Sequence, residues 1–180
     1  MNQIDQAQLY AYLKKAQGKN LNKVYLHWTA GRYTQVFPGY HICIKGDGEV
    51  WFSTDDLSEL KDHTWRRNTR AIGIALCCAL GAVAPHNFGR FPPTDAQIET
   101  LSEVVAIISR ELDLPITIQN VMTHAEAADN SDGSYNHQPY GPKNGCERWD
   151  LWYLKDFDGT WKNGGEVIRG KANWYLARMG

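Results

Sequence analysis

The sequence predicts an α/β protein, a single domain in which a central mixed β-sheet is flanked by helices. Three observations lead there. AIGIALCCALG, starting at Ala71, is an unbroken apolar run whose length and isoleucine content suit a strand buried on both faces. TDAQIETLSEVVAIISREL, starting at Thr94, places Ile98, Leu101, Val105, Ile108 and Leu112 at alternating three- and four-residue steps, the period of an amphipathic helix. Short strand patterns alternate with these helical ones, the order from which helix-covered sheets are built.

Residues 5–17 form the first predicted helix, opened by Asp5 and with Leu9 and Leu13 on one face. KVYLHWT then alternates, Val24, Leu26 and Trp28 facing one way and Lys23, Tyr25 and His27 the other, as a strand does. GYHICIKGDGEVWFS reads as two strands joined by a turn at Asp47-Gly48. The helix at 94–112 has its own start signal, Thr94 with Gln97 three residues on. ITIQNVMTH is a further strand, expected to end in His124. Asp129 to Cys146 is rich in Asn, Gly, Pro and Ser and reads as one long loop, of a length that is usually functional or disordered. The final stretch, RWDLWYL to NWYLARM, is aromatic and is expected to pack back on the domain.

Composition narrows the function classes. With 180 residues, 43% of them hydrophobic, the chain can bury one sizeable core. A net charge of -1 gives no support for nucleic-acid binding, which usually shows a basic face. No apolar run approaches the roughly 20 residues that span a bilayer. The opening MNQIDQAQLYAYLKK lacks a basic-then-apolar export signal, so synthesis in the cytoplasm is expected, with any exit dependent on other factors. Cys43, Cys77, Cys78 and Cys146 do not form a disulfide framework; the adjacent Cys77 and Cys78 read as reduced core thiols. A monomer is expected.

The chemistry lies in two histidines. His27 and His124 each fall where an apolar strand ends, far apart in the chain. Two imidazoles from strand ends plus a third ligand from a loop make a common catalytic zinc site, which keeps its fourth position open. In sheets of this class the site lies beyond the strand ends. Singly, either histidine would more often be a satisfied structural residue. His41 is as apt to pack as to line a groove, and His86 and His137 read as surface residues, although His137 lies within the long loop and competes as a ligand.

VYLHWTAG, GYHICIKGDGEV, HTWRRNTRAIGIAL, the TDAQIETL helix and THAEAA followed by RWDLWYL occur in an order that resembles the type-two N-acetylmuramoyl-L-alanine amidases. These include small phage lytic amidases and share a fold with peptidoglycan recognition proteins. The likeness spans about residues 20–155. It implies one Zn2+ per chain, held by His27, His124 and a third ligand, and hydrolysis of the amide between the muramic acid lactyl group and L-alanine of peptidoglycan. The third ligand is Asp150 in one registration and Cys146 in another; Asp150 is preferred because it brings Arg148 two positions upstream, where many members carry Lys. Tyr40 matches a Tyr that, with that Lys, stabilises the developing oxyanion. Arg148, a poor proton donor, would act as an electrostatic clamp, leaving Tyr40, Glu126 or a water to move the proton. Glu126 reads either as a partner orienting His124 or as a solvated acid.

The resemblance also implies substrate contacts at His63, Asn68 and Thr69, with a turn-forming role the alternative for Asn68. Of the seven Trp residues, Trp65 and Trp28 lie nearest the site motifs. Ala75 stands where some intracellular recycling members place a Glu, which favours the phage type. The long loop is expected to wall the substrate groove. An endolysin acting on the cell wall after release is therefore expected, with a secreted antibacterial toxin or a non-catalytic peptidoglycan-binding module as alternatives.

Overall fold

The computed structural model describes residues 1–180. In chain order the elements are β1 (Asn2–Gln3), α1 (Gln6–Ala16), β2 (Lys23–Trp28), β3 (Ile42–Ile44), β4 (Val50–Phe52), β5 (Ala71–Leu76), α2 (Asp95–Glu111), β6 (Val121–Thr123), α3 (His124–Ala128), β7 (Tyr153–Lys155), β8 (Trp161–Asn163) and α4 (Gly164–Leu176). Six strands form one sheet in the order β1-β4-β3-β5-β2-β6, and β7 and β8 form a separate hairpin. β3, β5, β2 and β6 run parallel, and at one edge β4 pairs antiparallel with β3 and β1 antiparallel with β4, so the sheet is mixed as expected.

Local chemistry accounts for the predicted elements. Asp5 and Thr94 each cap their helix through reciprocal bonds with Gln8 and Gln97. Gly48, with φ +91°, supplies the backbone that the turn between β3 and β4 requires. β5 is buried at every residue because β2 and β3 flank it and side chains cover both its faces. The alternation in β2 holds too: Val24, Leu26 and Trp28 enter the main core, which is shared by α1, α2 and α4. Tyr25 lies on the opposite face with Met122, and Cys43, Ala75 and Cys77 form a separate small cluster. No helix is long and apolar enough to cross a membrane.

Three parts differ from expectation. The strand expected over ITIQNVMTH is only β6, and His124 opens a short helix instead of closing a strand. The cause is a capping box: Thr123 Oγ1 accepts from Glu126 N while Glu126 Oε2 accepts from Thr123 N. The C-terminal stretch is a hairpin followed by α4, which packs against α2 and joins the main core through Val167, Ile168 and Ala172. Finally, Asn2 and Gln3 add a short edge strand to β4.

Candidate metal centre

Register brings the two histidines together. β2 and β6 are parallel neighbours with Leu26 opposite Thr123, so the next residues along, His27 and His124, emerge side by side. Their Nδ1 atoms lie 3.1 Å apart. Asp150, carried by the segment after the long loop, completes the cluster: its Oδ2 is 3.5 Å from His27 Nδ1 and 3.3 Å from His124 Nδ1. All three side chains are buried. Cys146 is exposed and lies outside this cluster.

The outer ring nitrogens are held by hydroxyls. His27 Nε2 is 3.3 Å from Thr64 Oγ1, which in turn lies 2.9 Å from His63 Nδ1. His124 Nε2 is 3.5 Å from the Tyr140 hydroxyl. When the imidazoles carry their protons on Nε2, toward these oxygens, both Nδ1 lone pairs and the carboxylate face one point with no donor among them. Such a set suits a cation. Zinc–nitrogen and zinc–oxygen bonds of about 2.0–2.2 Å place tetrahedral ligand atoms about 3.3–3.6 Å apart, close to the separations found here. The residues therefore fit a divalent metal.

Electrostatics speak to the charge of His27 and Asp150. Burial, aided by the neighbouring His124, pushes His27 down to about 4, so it is neutral at pH 7. Burial would raise Asp150, but His124 and His27 outweigh it and hold the carboxyl well below its usual range. Neutral imidazole and ionised carboxylate are the forms in which these side chains bind metals.

Tyr40 lies beside the cluster, its ring 5.0 Å from that of His27, and its hydroxyl makes no hydrogen bond within the protein. Burial, and then the charge of Asp150, raise its pKa, so the phenol stays protonated. Arg148 is exposed, donates to Glu147 O, and lines both cavities that open onto the cluster. The larger, about 830 Å³, is also lined by His63, Trp65, Asn68, His124 and Tyr140; the smaller, about 450 Å³, by Trp28, Tyr40 and Asp150. Trp65 stands 62% exposed at the rim. The long loop does contribute to the groove wall, through Tyr140.

Other expected residues take different places. The Glu126 carboxylate is neither solvated nor bonded to His124: it is buried, capped onto Thr123 N and gripped at 2.9 Å by each Nη atom of Arg169. No atom of it lines either cavity. His63 lines the groove, yet Nδ1 is engaged by Thr64 and Nε2 is buried without a partner, so neither nitrogen is presented to a ligand. Asn68 is a turn former: Oδ1 accepts from His63 N and Thr64 N, and Nδ2 donates to Asp62. Thr69 is exposed and outside the lining. His41 packs, with Nδ1 accepting from Gly73 N and Nε2 donating to Glu59 O. His137 is buried against Tyr140, not a surface residue, and His86 stacks on Tyr153. Thr64 and Tyr140, which orient the ligand rings, were not singled out in the sequence, since a lone hydroxyl in a loop carries no periodic or spacing signal.

Comparison with known proteins follows the same lines. The family profile described as N-acetylmuramoyl-L-alanine amidase matches residues 17–139, a stretch that holds His27, Tyr40 and His124 and ends before Asp150. No curated protein matches the chain. Among solved structures, N-acetylmuramoyl-L-alanine amidase LysC from Clostridium intestinale URNW is 20% identical, with 68% of this chain and 76% of that one covered and a TM-score of 0.45. The Ph2119 endolysin from Thermus scotoductus MAT2119 bacteriophage Ph2119 is 15% identical, with 87% of each chain covered and a TM-score of 0.48. The ectodomain complex of peptidoglycan recognition proteins LCa and LCx bound to tracheal cytotoxin gives 17% identity, 72% and 80% coverage and a TM-score of 0.47. With about two thirds of its length matched by the profile, this chain belongs to the N-acetylmuramoyl-L-alanine amidase family.

Proposed function

We propose that the chain is a zinc-dependent N-acetylmuramoyl-L-alanine amidase, cutting the amide between the lactyl group of muramic acid and L-alanine of peptidoglycan. One observation carries the reading: two imidazole nitrogens and a carboxylate oxygen converge within 3.5 Å at the carboxyl ends of β2 and β6, beside an open groove, in a chain of this family. His27, His124 and Asp150 are the proposed ligands. Bound there, zinc would supply Lewis-acid activation of a water and of the scissile carbonyl.

The protein groups divide the remaining work. Thr64 and Tyr140 hold the two ligand rings in the orientation that presents Nδ1. Tyr40, kept protonated by its surroundings, offers a hydroxyl donor to the carbonyl oxygen as negative charge develops on it. Arg148, at the mouth of both cavities, adds a fixed positive charge to the same end of the substrate. Trp65 provides an exposed ring against which a sugar or peptide can stack. Asn68 contributes by shaping the rim, with Thr69 adjacent at the surface. Residues 1–180 act as one amidase domain in this reading, and an endolysin-like role on cell-wall peptidoglycan is the setting it suits.

The test is direct. Purified protein is incubated with peptidoglycan and the products are examined by mass spectrometry. New free L-alanine amino termini, lost on chelation and restored by zinc, are expected. Cleavage at another bond, or cleavage indifferent to chelator, would refute the proposal.

A further inference from the structure

We infer that α4, the helix behind the site, is the positioning device for the two segments that carry His124 and Asp150, acting through the Arg169–Glu126 pair and the Gly164-Gly165 step. The inference rests on the metal reading of those ligands.

His124 is the first residue of α3, so its ring goes where that short helix leaves β6. The capping box itself uses only one oxygen of Glu126, Oε2, which accepts from Thr123 N. Here Glu126 is 2% exposed, and both of its oxygens are bound by the guanidinium of Arg169 from α4. Arg169 Nη1 also donates to Val121 O at 3.0 Å. One planar fork therefore ties the start of β6 to the third residue of α3 and brackets His124 between its two attachments. A bidentate pair of this kind fixes direction as well as distance, which a point charge does not.

The approach of α4 depends on two glycines that face different segments. A Cβ at Gly165 would overlap the Glu126 carboxylate, and one at Gly164 would overlap the carbonyl oxygen of Leu151, the residue after Asp150. Gly164 N also donates to Trp152 O at 2.8 Å. Leu151 is held in a left-handed backbone, φ +59°, as the chain turns away from Asp150. Helix propensity gives no reason to open a helix with two glycines; close approach to both ligand segments does. α4 lies wholly outside the stretch matched by the family profile, residues 17–139.

Three variants separate positioning from bulk stability. Arg169→Lys keeps the charge and loses the fork. Gly165→Ala pushes on Glu126. Ile168→Val loosens α4 in the main core while leaving the Arg169 fork and the two glycines in place. For each, the zinc Kd is measured by chelator competition, the cobalt-substituted protein by visible absorption, the metal-free protein by its imidazole nitrogen resonances, and all by thermal melting. Arg169→Lys and Gly165→Ala should weaken zinc binding on the order of 10-fold or more and alter the cobalt spectrum, while Ile168→Val, at a comparable loss in Tm, leaves both as in the parent. Zinc affinity that follows Tm alone across all three, or that is unchanged, overturns the inference. Should Gly165→Ala fail to fold, Arg169→Lys decides. If the parent protein takes up no zinc, the proposed function fails, and the metal-free spectra decide this inference separately: a His124 resonance moved by Arg169→Lys and not by Ile168→Val supports it, and an unmoved one overturns it.

Discussion

Asp132→Ala tests what holds the long loop against the domain. Arg67 and Asp132 form a bidentate pair, with Nη1 at 2.9 Å and Nη2 at 3.1 Å from the carboxylate, and their side chains are 2% and 1% exposed. Arg67 Nη2 also donates to Asn130 Oδ1 and Ser134 O, while Nε has no partner. Removing the carboxylate takes away the counter-charge and two of four hydrogen bonds. Breaking a buried pair from one side costs about 3–5 kcal/mol, and the two remaining acceptors place this case near 3. At about 2–4 °C per kcal/mol for a chain of this size, Tm should fall by about 6–12 °C at pH 7. The pH dependence has a definite sign. Burial works to raise Asp132, but the hydrogen bonds and charge of Arg67 outweigh it and hold the carboxyl below its usual range. The stabilisation is thus complete above the unfolded value of about 3.9 and is lost as pH falls through the lower folded value. Thermal and urea melts of parent and variant at pH 7, 5 and 3 should show a gap that is constant at the first two and narrower at the third. A gap below about 1 kcal/mol at pH 7, or one that does not narrow in acid, refutes the reasoning.

Two further outcomes bear on the site. Asp150→Ala should lose bound zinc, whereas Cys146→Ala should keep one equivalent by atomic emission; zinc retained by Asp150→Ala removes that residue from the ligand set. Gly73→Ala would place a Cβ 2.6 Å from the His63 ring, which is itself packed against His27 and His41. Since overpacking typically costs about 1–3 kcal/mol, the variant should be destabilised and less active, but the same change in a His63→Ala background should cost under about 0.5 kcal/mol. Equal costs in both backgrounds, by urea melts, would rule out the ring as the obstacle.

Where burial and periodicity coincide, the sequence was legible. The alternation in β2 predicts which face His27 takes, and the apolar run at Ala71 predicts a strand covered on both sides. The pairing of His27 with His124 follows once β2 and β6 are parallel neighbours. Asp150 was ambiguous against Cys146 because both follow an irregular loop, whose path depends on contacts such as Lys143 N and Asn144 Nδ2 to Asp129 that no spacing reveals. The strand read over ITIQNVMTH runs too far for a local reason: T-x-x-E at Thr123–Glu126 is a helix-start signal, and reading through it extends a strand where the chain turns into α3. The two glycines at the head of α4 hide a helix for the converse reason, since their value lies in what they approach and not in propensity.

The three proposed ligands differ in how firmly the fold holds them. His27 sits in a central strand bonded on both sides, so its backbone has little freedom. His124 stands at a helix start just past β6, and Asp150 in an irregular segment just before the left-handed Leu151, so neither is held by strand pairing on both sides. A tetrahedral ion tolerates little spread in ligand positions, so the site needs an external reference for the two looser arms. α4 supplies it by touching both arms at successive residues, and that contact converts two independent freedoms into one. On this reasoning, metal affinity in this chain is governed as much by a helix about 14 residues beyond the last ligand as by the ligands themselves.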